Sequence, residues 1–303
     1  MPANSRTTAP PHSRFSSSTI KGSALMLGSA LLFASTDIII KIVGPAFRVW
    51  DIAFFRFGGG IILIIIFFGW SGNPFKSDNL RLLIIRGITG ALAFLALVGA
   101  IQLLPLSSAI VLLYSFPAFA ALFSAVIFGE RISFLQIVCI IGTLVGVGIL
   151  LDFSPAGNLL GQAIGLIAGM FAGIAVCLIK KLRETNGPVI IYLYFCLVGG
   201  VIALPPFVAG PILPVSARDI FLVVSLVLLF LAAQLLMNQG FKYCKSWEGG
   251  LFLSSETLFT SVVGICFMGD PVTWHFWTGG GLIIASVVVL NSTLSRPPPG
   301  TEG

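Results

Sequence analysis

Four ionisable side chains lie inside long apolar runs of the sequence, where charge is otherwise rare: Asp37, Lys41, Arg56 and Glu256. In a helix that crosses a lipid bilayer, each such group costs about 2.5–3.5 kcal/mol on insertion scales. Intramembrane charges therefore usually mark a path for a substrate or an ion. These four residues are the first candidates for chemistry in this chain.

Glu256 is the strongest of these candidates. It lies about 15 Å into the ninth apolar run, at a rise of 1.5 Å per residue, which places it close to the middle of a bilayer. Burial penalises the ionised form of a carboxyl group, so Glu256 could exchange a proton near neutral pH or pair with a cationic substrate group. The alternative is a protonated Glu256 that only hydrogen-bonds to a neighbouring helix.

Asp37 and Arg56 are predicted to meet. Asp37 lies about 22 Å from the start of the first run and Arg56 about 9 Å from the start of the second. In two antiparallel helices these depths coincide, in the outer half of a slab about 30 Å thick. Such a pair is either an outer gate or a structural link between two helices. Lys41, one turn after Asp37, could compete with Arg56 for the Asp37 carboxylate.

Other polar and aromatic residues lie at compatible depths and could line a solute cavity, since such cavities combine apolar walls with a few polar groups. They are Tyr114, Ser115, Tyr194, Gln234 and Asn238. Each of them, taken singly, is also typical of hydrogen bonding between helices.

A proline and a series of glycines indicate how the helices bend and pack. Pro117 removes a backbone donor within the fourth run, which predicts a bend and a carbonyl freed towards the cavity. Glycines recur every four residues along the sixth run and predict a ridge that another helix approaches closely. They are Gly161, Gly165, Gly169 and Gly173.

The composition indicates which environment surrounds these residues. Of 303 residues, 57% are hydrophobic and 9% are charged, whereas soluble chains carry about 25% charged residues. The net charge of +6 does not indicate nucleic-acid binding, because no basic cluster lies on a polar surface. The cysteines are scattered and no His or Cys pair has metal-ligand spacing, so we expect no disulfide scaffold, metal or cofactor.

Ten apolar runs are long enough to cross a bilayer as helices. Their apolar residues are continuous rather than alternating, which excludes barrel strands and predicts an all-α integral membrane protein. The runs lie near residues 22–44, 50–70, 80–103, 106–128, 132–151, 159–181, 188–209, 219–241, 247–268 and 272–293.

Positive charges fall on alternate ends of these runs. Thirteen Lys and Arg side chains, Arg86 among them, lie on the side of the amino terminus, against Arg48 and Arg218 on the other. Because cytoplasmic ends retain Lys and Arg, we expect a multi-pass plasma-membrane protein with both termini cytoplasmic. Residues 1–21 are predicted to be a disordered cytoplasmic tail, and residues 294–303 a second tail.

The second half of the sequence repeats features of the first. At an offset of 140 residues, Ser115 aligns with Ser255 and Glu130 with Asp270. Five runs per unit is an odd number, so the two units must have opposite orientations in the membrane. Inverted repeats of this kind are common in secondary transporters, whose substrates bind near the midplane between the repeats.

With these features the chain resembles the drug/metabolite transporter superfamily, and specifically its EamA-type ten-helix permeases, over about residues 22–293. The resemblance rests on the segments 55–57 (Phe-Arg-Phe), 129–131 (Gly-Glu-Arg) and 269–271 (Gly-Asp-Pro) and on Pro117. It implies two inverted five-helix repeats, at 22–152 and 153–293, and the passage of small metabolites or drugs, often outward. One departure is Phe195, which stands where the repeat would place a partner for Arg56.

The sequence therefore predicts a secondary transporter that works by alternating access and in the direction of efflux, with proton coupling as an option. The opposite charges of Glu256 and Asp37 against Arg56 favour an amino acid or a related zwitterionic or cationic solute. The expected partners are this small molecule and the lipid bilayer, for a monomer or a homodimer. An intramembrane lipid-modifying enzyme and a passive channel remain alternatives, although no nucleophile with a base or metal triad is visible.

Overall fold

The computed structural model describes residues 17–69, 78–128, 134–150, 158–240, 242–243 and 252–293. These ranges form eleven α-helices and contain no strand. The helices are α1 (Ser17–Val43), α2 (Val49–Phe68), α3 (Leu80–Leu103), α4 (Leu106–Leu113), α5 (Phe116–Phe128), α6 (Phe134–Leu150), α7 (Leu159–Leu182), α8 (Pro188–Val208), α9 (Ala217–Gly240), α10 (Ser255–Phe267) and α11 (Trp274–Thr293).

Every predicted apolar run contains at least one of these helices, so the all-helical class is confirmed for the described residues. Seven segments are long and apolar enough to cross a membrane: α1 to α3, the α4–α5 segment, and α7 to α9. α1 begins at Ser17 and takes in the last residues of the predicted tail at 1–21. Residues 1–16, the tail 294–303 and the 129–131 turn lie outside the described residues.

The distribution of side chains is that of a protein surrounded by lipid. Large apolar side chains such as Val126, Phe134 and Phe221 are exposed on the outer faces of the helices. Charged side chains such as Asp51 and Arg56 are fully buried between helices. In water this arrangement would expose large apolar patches. In a bilayer the apolar outer faces contact lipid, while the charged groups are shielded from it between the helices.

Two of the predicted runs are interrupted near their middles. The α4–α5 segment breaks at Tyr114 and Ser115, and the ninth run has a turn at Ser254, just before α10. The Ser115 hydroxyl donates to the carbonyl three residues earlier at 2.7 Å, and Ser255 makes the equivalent bond at 2.6 Å. Because these two serines are 140 residues apart, the breaks occupy equivalent positions in the two halves.

Pro117 is the second residue of α5 rather than the centre of a bent helix. A proline fits the first turn of a helix, where its missing donor is not needed, and disrupts the turn that precedes it. The fourth run is therefore interrupted at residues 114–115 instead of bending at Pro117.

α7 packs along α3, α4 and α5, and its glycine ridge faces them. At Gly169, a Cβ atom would lie 2.5 Å from the Ser115 hydroxyl oxygen and 3.0 Å from the Leu112 carbonyl oxygen. Gly161, Gly165 and Gly173 similarly face side chains or backbone of α3, α4 and α5. The absence of side chains on this ridge allows α7 to lie directly against the helix break.

Contacts between helices occur in matched sets. α3 packs along α7, and the equivalent pair in the exchanged halves, α9 and α1, packs in the same way. Similarly, α3 contacts α8, and the equivalent pair α9 and α2 is also in contact. α5 packs on α7 as α10 packs on α1, while α2 packs on α8 and α6 on α11. Exchanging the first half of the chain for the second therefore reproduces these main contacts among the described residues.

Lys41, near the end of α1, caps another helix. Its ammonium group donates to the carbonyl oxygens of Ile101, at 2.8 Å, and Leu104, at 2.5 Å, at the end of α3. These carbonyls have no partners within their own helix, and a cation is favourable at a helix carboxyl end. Lys41 is thus engaged with α3, and the expectation that it competes for Asp37 is wrong.

Candidate functional site

A cavity of about 150 Å³ lies in the middle of the bundle and is lined by residues of both halves. Its walls are mainly apolar and aromatic, and five polar or charged side chains border it: Asp37, Arg86, Tyr114, Gln234 and Glu256. This combination is typical of sites for small organic molecules. Within the described ranges, no three His, Cys, Asp or Glu side chains are placed to hold a metal ion.

Asp37 of α1 and Glu256 of α10 form a pair of buried carboxyl groups at this cavity. Their exposed fractions are 3% and 5%, and the two carboxyl groups lie in hydrogen-bonding range of each other. Glu256 stands in the first turn of α10, directly after the interruption at Ser254. The break in the ninth run therefore positions this carboxyl group beside α1.

Tyr114 joins the carboxyl pair to the other broken helix. Its hydroxyl oxygen lies 2.5 Å from the Leu253 carbonyl oxygen and 3.0 Å from Glu256 Oε2. A hydroxyl group has one proton to donate, and the shorter contact, to the carbonyl, takes it. The contact with Glu256 is then a hydrogen bond when the carboxyl group carries a proton and donates it to Tyr114.

The predicted pair of Asp37 and Arg56 does not form. Arg56 of α2 is fully buried, and none of its three nitrogen atoms has an acceptor among the described residues. Its guanidinium carbon instead lies 3.5–4.6 Å from the centres of four rings, those of Phe57, Phe94, Phe195 and Phe230. The depth calculation placed both charges at one height, but height does not determine which way each helix face points.

Arg86 is a site residue that the sequence analysis placed elsewhere, among the cytoplasmic ends. It is 2% exposed, lies on α3, borders the cavity, and has its guanidinium carbon 4.0 Å from the centre of the Phe195 ring. Arg86 is six residues into α3, or about 9 Å, which equals the depth assigned to Arg56 in its own run. Applying one depth criterion to every run would have identified it.

Four other residues are predicted to line the cavity, and one of them does so. Gln234 borders the cavity, and its side-chain oxygen has no hydrogen-bond partner among the described residues. Asn238, one turn later, is fully buried, with its amide nitrogen 3.5 Å from the first carbonyl of α8. Tyr194 packs with the apolar cluster around Met26, and Ser115 is bonded at the helix break. Contrary to expectation, these last three residues do not border the cavity.

Two further buried carboxylates hold the structure together away from the cavity. Asp51 pairs with Arg48 at 2.8 Å, and this carboxylate raises the pKa of Arg48, which precedes α2. Asp270 Oδ2 accepts hydrogen bonds from the backbone nitrogen of Ser107 at 2.8 Å and from its hydroxyl at 2.7 Å. The residue before α4 is Pro105, which offers no side-chain acceptor, so Asp270 caps α4 from the opposite half of the chain.

Comparison with known proteins agrees with this architecture. The profile of the EamA-like transporter family matches residues 20–151 and again 159–292. The chain is 26% identical over 285 residues to the pseudopaline exporter CntI of Pseudomonas aeruginosa, in strains UCBPP-PA14 and PAO1, covering 90% of this chain and 96% of each relative. A solved structure with 19% identity covers 93% of this chain and 99% of its own with a TM-score of 0.61, which shows a shared fold. The chain therefore belongs to the EamA-like transporter family, and is a multi-pass membrane transporter rather than an enzyme.

Proposed function

We propose that this protein is a secondary transporter that exports a small zwitterionic or cationic organic metabolite, such as an amino acid or a related solute, in exchange for protons. The observation that carries the proposal is the buried pair of Asp37 and Glu256 at a cavity between two broken helices. The Pseudomonas relatives are named as exporters of pseudopaline, which supports a metabolite as cargo and an outward direction.

The carboxyl pair is suited to bind either a proton or a cationic group. Two carboxyl groups in contact inside a protein cannot both ionise unless a cation compensates them. No described Lys or Arg side chain pairs with Asp37 or Glu256. The compensating cation is then a proton in one stage of the cycle and the ammonium group of the substrate in another. Competition for one site couples the two fluxes in opposite directions.

Alternating access follows from the two halves of the chain acting as inverted repeats, at residues 22–152 and 153–293. The matched helix contacts and the breaks at equivalent positions support this arrangement, as does the double match to the family profile. Discontinuous helices at a central site are a recurring feature of such transporters. Rocking of one repeat against the other then exposes the carboxyl pair to each side in turn.

The described conformation is inward-facing in this proposal. Cavity residues Arg86, Ile179 and Met237 lie near the start of α3 and the ends of α7 and α9. With both termini in the cytoplasm, as the positive charges favour, these helix ends face the cytoplasm. At the opposite end Asp270 and Lys41 join neighbouring helices. The protein then stands open to the cytoplasmic side of the plasma membrane.

Reconstitution into proteoliposomes tests this function. Purified protein in vesicles loaded with unlabelled amino acid should accumulate labelled amino acid transiently above its external concentration, which a channel cannot do. A pH gradient should drive the solute to accumulate on the acidic side, because protons move the opposite way. Glu256→Gln and Asp37→Asn should abolish this response to the gradient, while Glu184→Gln, at an exposed position, should leave it intact.

Two outcomes would contradict the proposal. One is the absence of exchange for every amino acid and related amine in the panel. The other is a flux that is equal with and without the gradient in both the wild type and Glu256→Gln, since coupling through the carboxyl pair requires a difference.

A further inference from the structure

Two arginine side chains share one aromatic ring beside the cavity. The guanidinium carbons of Arg86 and Arg56 lie 4.0 Å and 4.6 Å from the centre of the Phe195 ring. Both side chains are almost completely buried, at 2% and 0% exposure. Guanidinium groups keep their charge in proteins, so this stack concentrates two positive charges in the centre of the bundle.

Neither arginine has an anionic partner among the described residues. Nε and Nη1 of Arg86 and all three nitrogen atoms of Arg56 lack an acceptor. The buried carboxyl groups of the described residues have other partners. Asp37 and Glu256 contact each other, Asp51 pairs with Arg48, and Asp270 accepts hydrogen bonds from Ser107. A buried charge without a partner is strongly unfavourable, and a contact with an aromatic ring offsets only part of that cost.

The two arginines differ in their access to the cavity. Arg56 is surrounded by four phenylalanine rings and does not border the cavity. Arg86 contacts one ring, that of Phe195, and borders the cavity itself. A guanidinium group presents donors in a planar fork that matches a carboxylate. Arg86 is therefore placed to donate hydrogen bonds to an anionic group inside the cavity.

We propose that Arg86 binds a carboxylate group of the transported solute, and that Arg56, behind Phe195, strengthens the positive field at that position. This inference rests on the proposed function and narrows its substrate class to solutes that carry both a carboxylate and an ammonium group. The carboxylate binds at Arg86 and the ammonium group at Asp37 and Glu256. A phosphorylated solute is excluded, because its additional negative charge would meet the carboxyl pair in the same cavity.

A purely structural role for Arg86 makes a different prediction. If Arg86 only held α3 in place, then Arg86→Gln would lower the melting temperature of the protein without ligand. As an unpaired buried charge that awaits a ligand, Arg86 reduces stability, so Arg86→Gln should leave the melting temperature unchanged or raise it while binding is lost. The melting temperature of the ligand-free variant, together with its affinity for the solute, therefore separates the two roles.

The test uses thermal-shift titrations of the purified full chain with the twenty L-amino acids and the amines that result from their decarboxylation. At least one amino acid should bind the wild type about 30-fold more tightly than its amine, as the loss of one partner from a buried charge pair predicts. Arg86→Gln should lower the affinity for that amino acid to the level of its amine. Arg86→Lys, which keeps the charge without the fork, should fall between. Arg81→Gln is the matched control, because Arg81 is exposed on the same helix.

The inference is overturned if the amino acids and their amines bind the wild type equally, if no amino acid binds, or if Arg86→Gln retains its affinity within about threefold. Exchange in proteoliposomes separates these failures from failure of the proposed function. Solute exchange that is insensitive to Arg86→Gln refutes only the role of Arg86. Absence of exchange for every solute refutes the proposed exchange of amino acids and related amines as well.

Discussion

Asp270 should control access to one end of the cavity. Its Oδ2 accepts two hydrogen bonds, at 2.8 and 2.7 Å, from Ser107 at the start of α4. A hydrogen bond to a charged group contributes about 1.5–3 kcal/mol, and a helix cap contributes about 1 kcal/mol. Because the two bonds share one oxygen atom, Asp270→Ala should weaken the closed arrangement by about 2–3 kcal/mol. This corresponds to a shift of about 30- to 150-fold towards opening at that end.

Labelling of a buried cysteine measures this shift. Ile110, one turn after Ser107, is fully buried, so Ile110→Cys should react slowly with an impermeant maleimide when the native cysteines are replaced by alanine. Asp270→Ala should accelerate labelling from the side of the membrane at which α4 begins by at least about 30-fold, in line with that free-energy change. Asp270→Asn should have a smaller effect, because an amide oxygen in the position of Oδ2 still accepts both bonds, without the negative charge.

Asp219→Asn is the control, because Asp219 lies in the first turn of α9 and its backbone nitrogen donates to Ser216, within the same half of the chain. An equal labelling rate in Asp270→Ala and the wild type would refute the role of Asp270 in closing this end of the cavity. Equal acceleration by Asp219→Asn would show that the effect is a general loss of stability.

Two further predictions concern packing and capping. Gly169→Leu should lower the free energy of unfolding by about 1–3 kcal/mol, because even its Cβ would lie 2.5 Å from the Ser115 hydroxyl oxygen. Thermal melting should show this loss of stability. Gly148→Leu should show no loss, because a Cβ at that position has no neighbour within 4 Å. Lys41→Met should lower the melting temperature, equivalent to about 1–2 kcal/mol, because the last carbonyls of α3 lose their cap. Its affinity for the transported solute in a binding titration should remain that of the wild type, and a large loss of affinity would contradict a purely structural role.

The candidate site shows what charge and depth predict correctly and where they fail. Asp37 and Glu256 are candidates because ionisable groups inside a membrane span are costly, and Tyr114 and Gln234 because polar residues at compatible depths could line a cavity. The structure brings all four to one cavity. Their partners could not be derived in the same way. Asp37 was expected beside Arg56 and instead lies beside Glu256, which is more than two hundred residues away in sequence.

Arg86 illustrates a second limit. Counting Lys and Arg at helix ends predicts orientation, but the same counting treats a charge one or two turns inside a helix as if it lay at the surface. The structure turns this side chain inward towards Phe195, whereas Lys41, two residues before the end of α1, reaches the carboxyl end of α3. Both outcomes depend on which neighbour each helix face meets.

The sequence by itself determined the class of the protein, the extent of its helices and the height of each charge along them. Lipid imposes these properties locally, because each spanning segment must satisfy its own backbone hydrogen bonds and cover itself with apolar side chains. Only the tertiary structure decided which charges share a cavity, which one caps a neighbouring helix and where two helices break. These depend on the rotation of each helix about its axis, which is set by packing between segments distant in sequence, such as α7 against the break between α4 and α5.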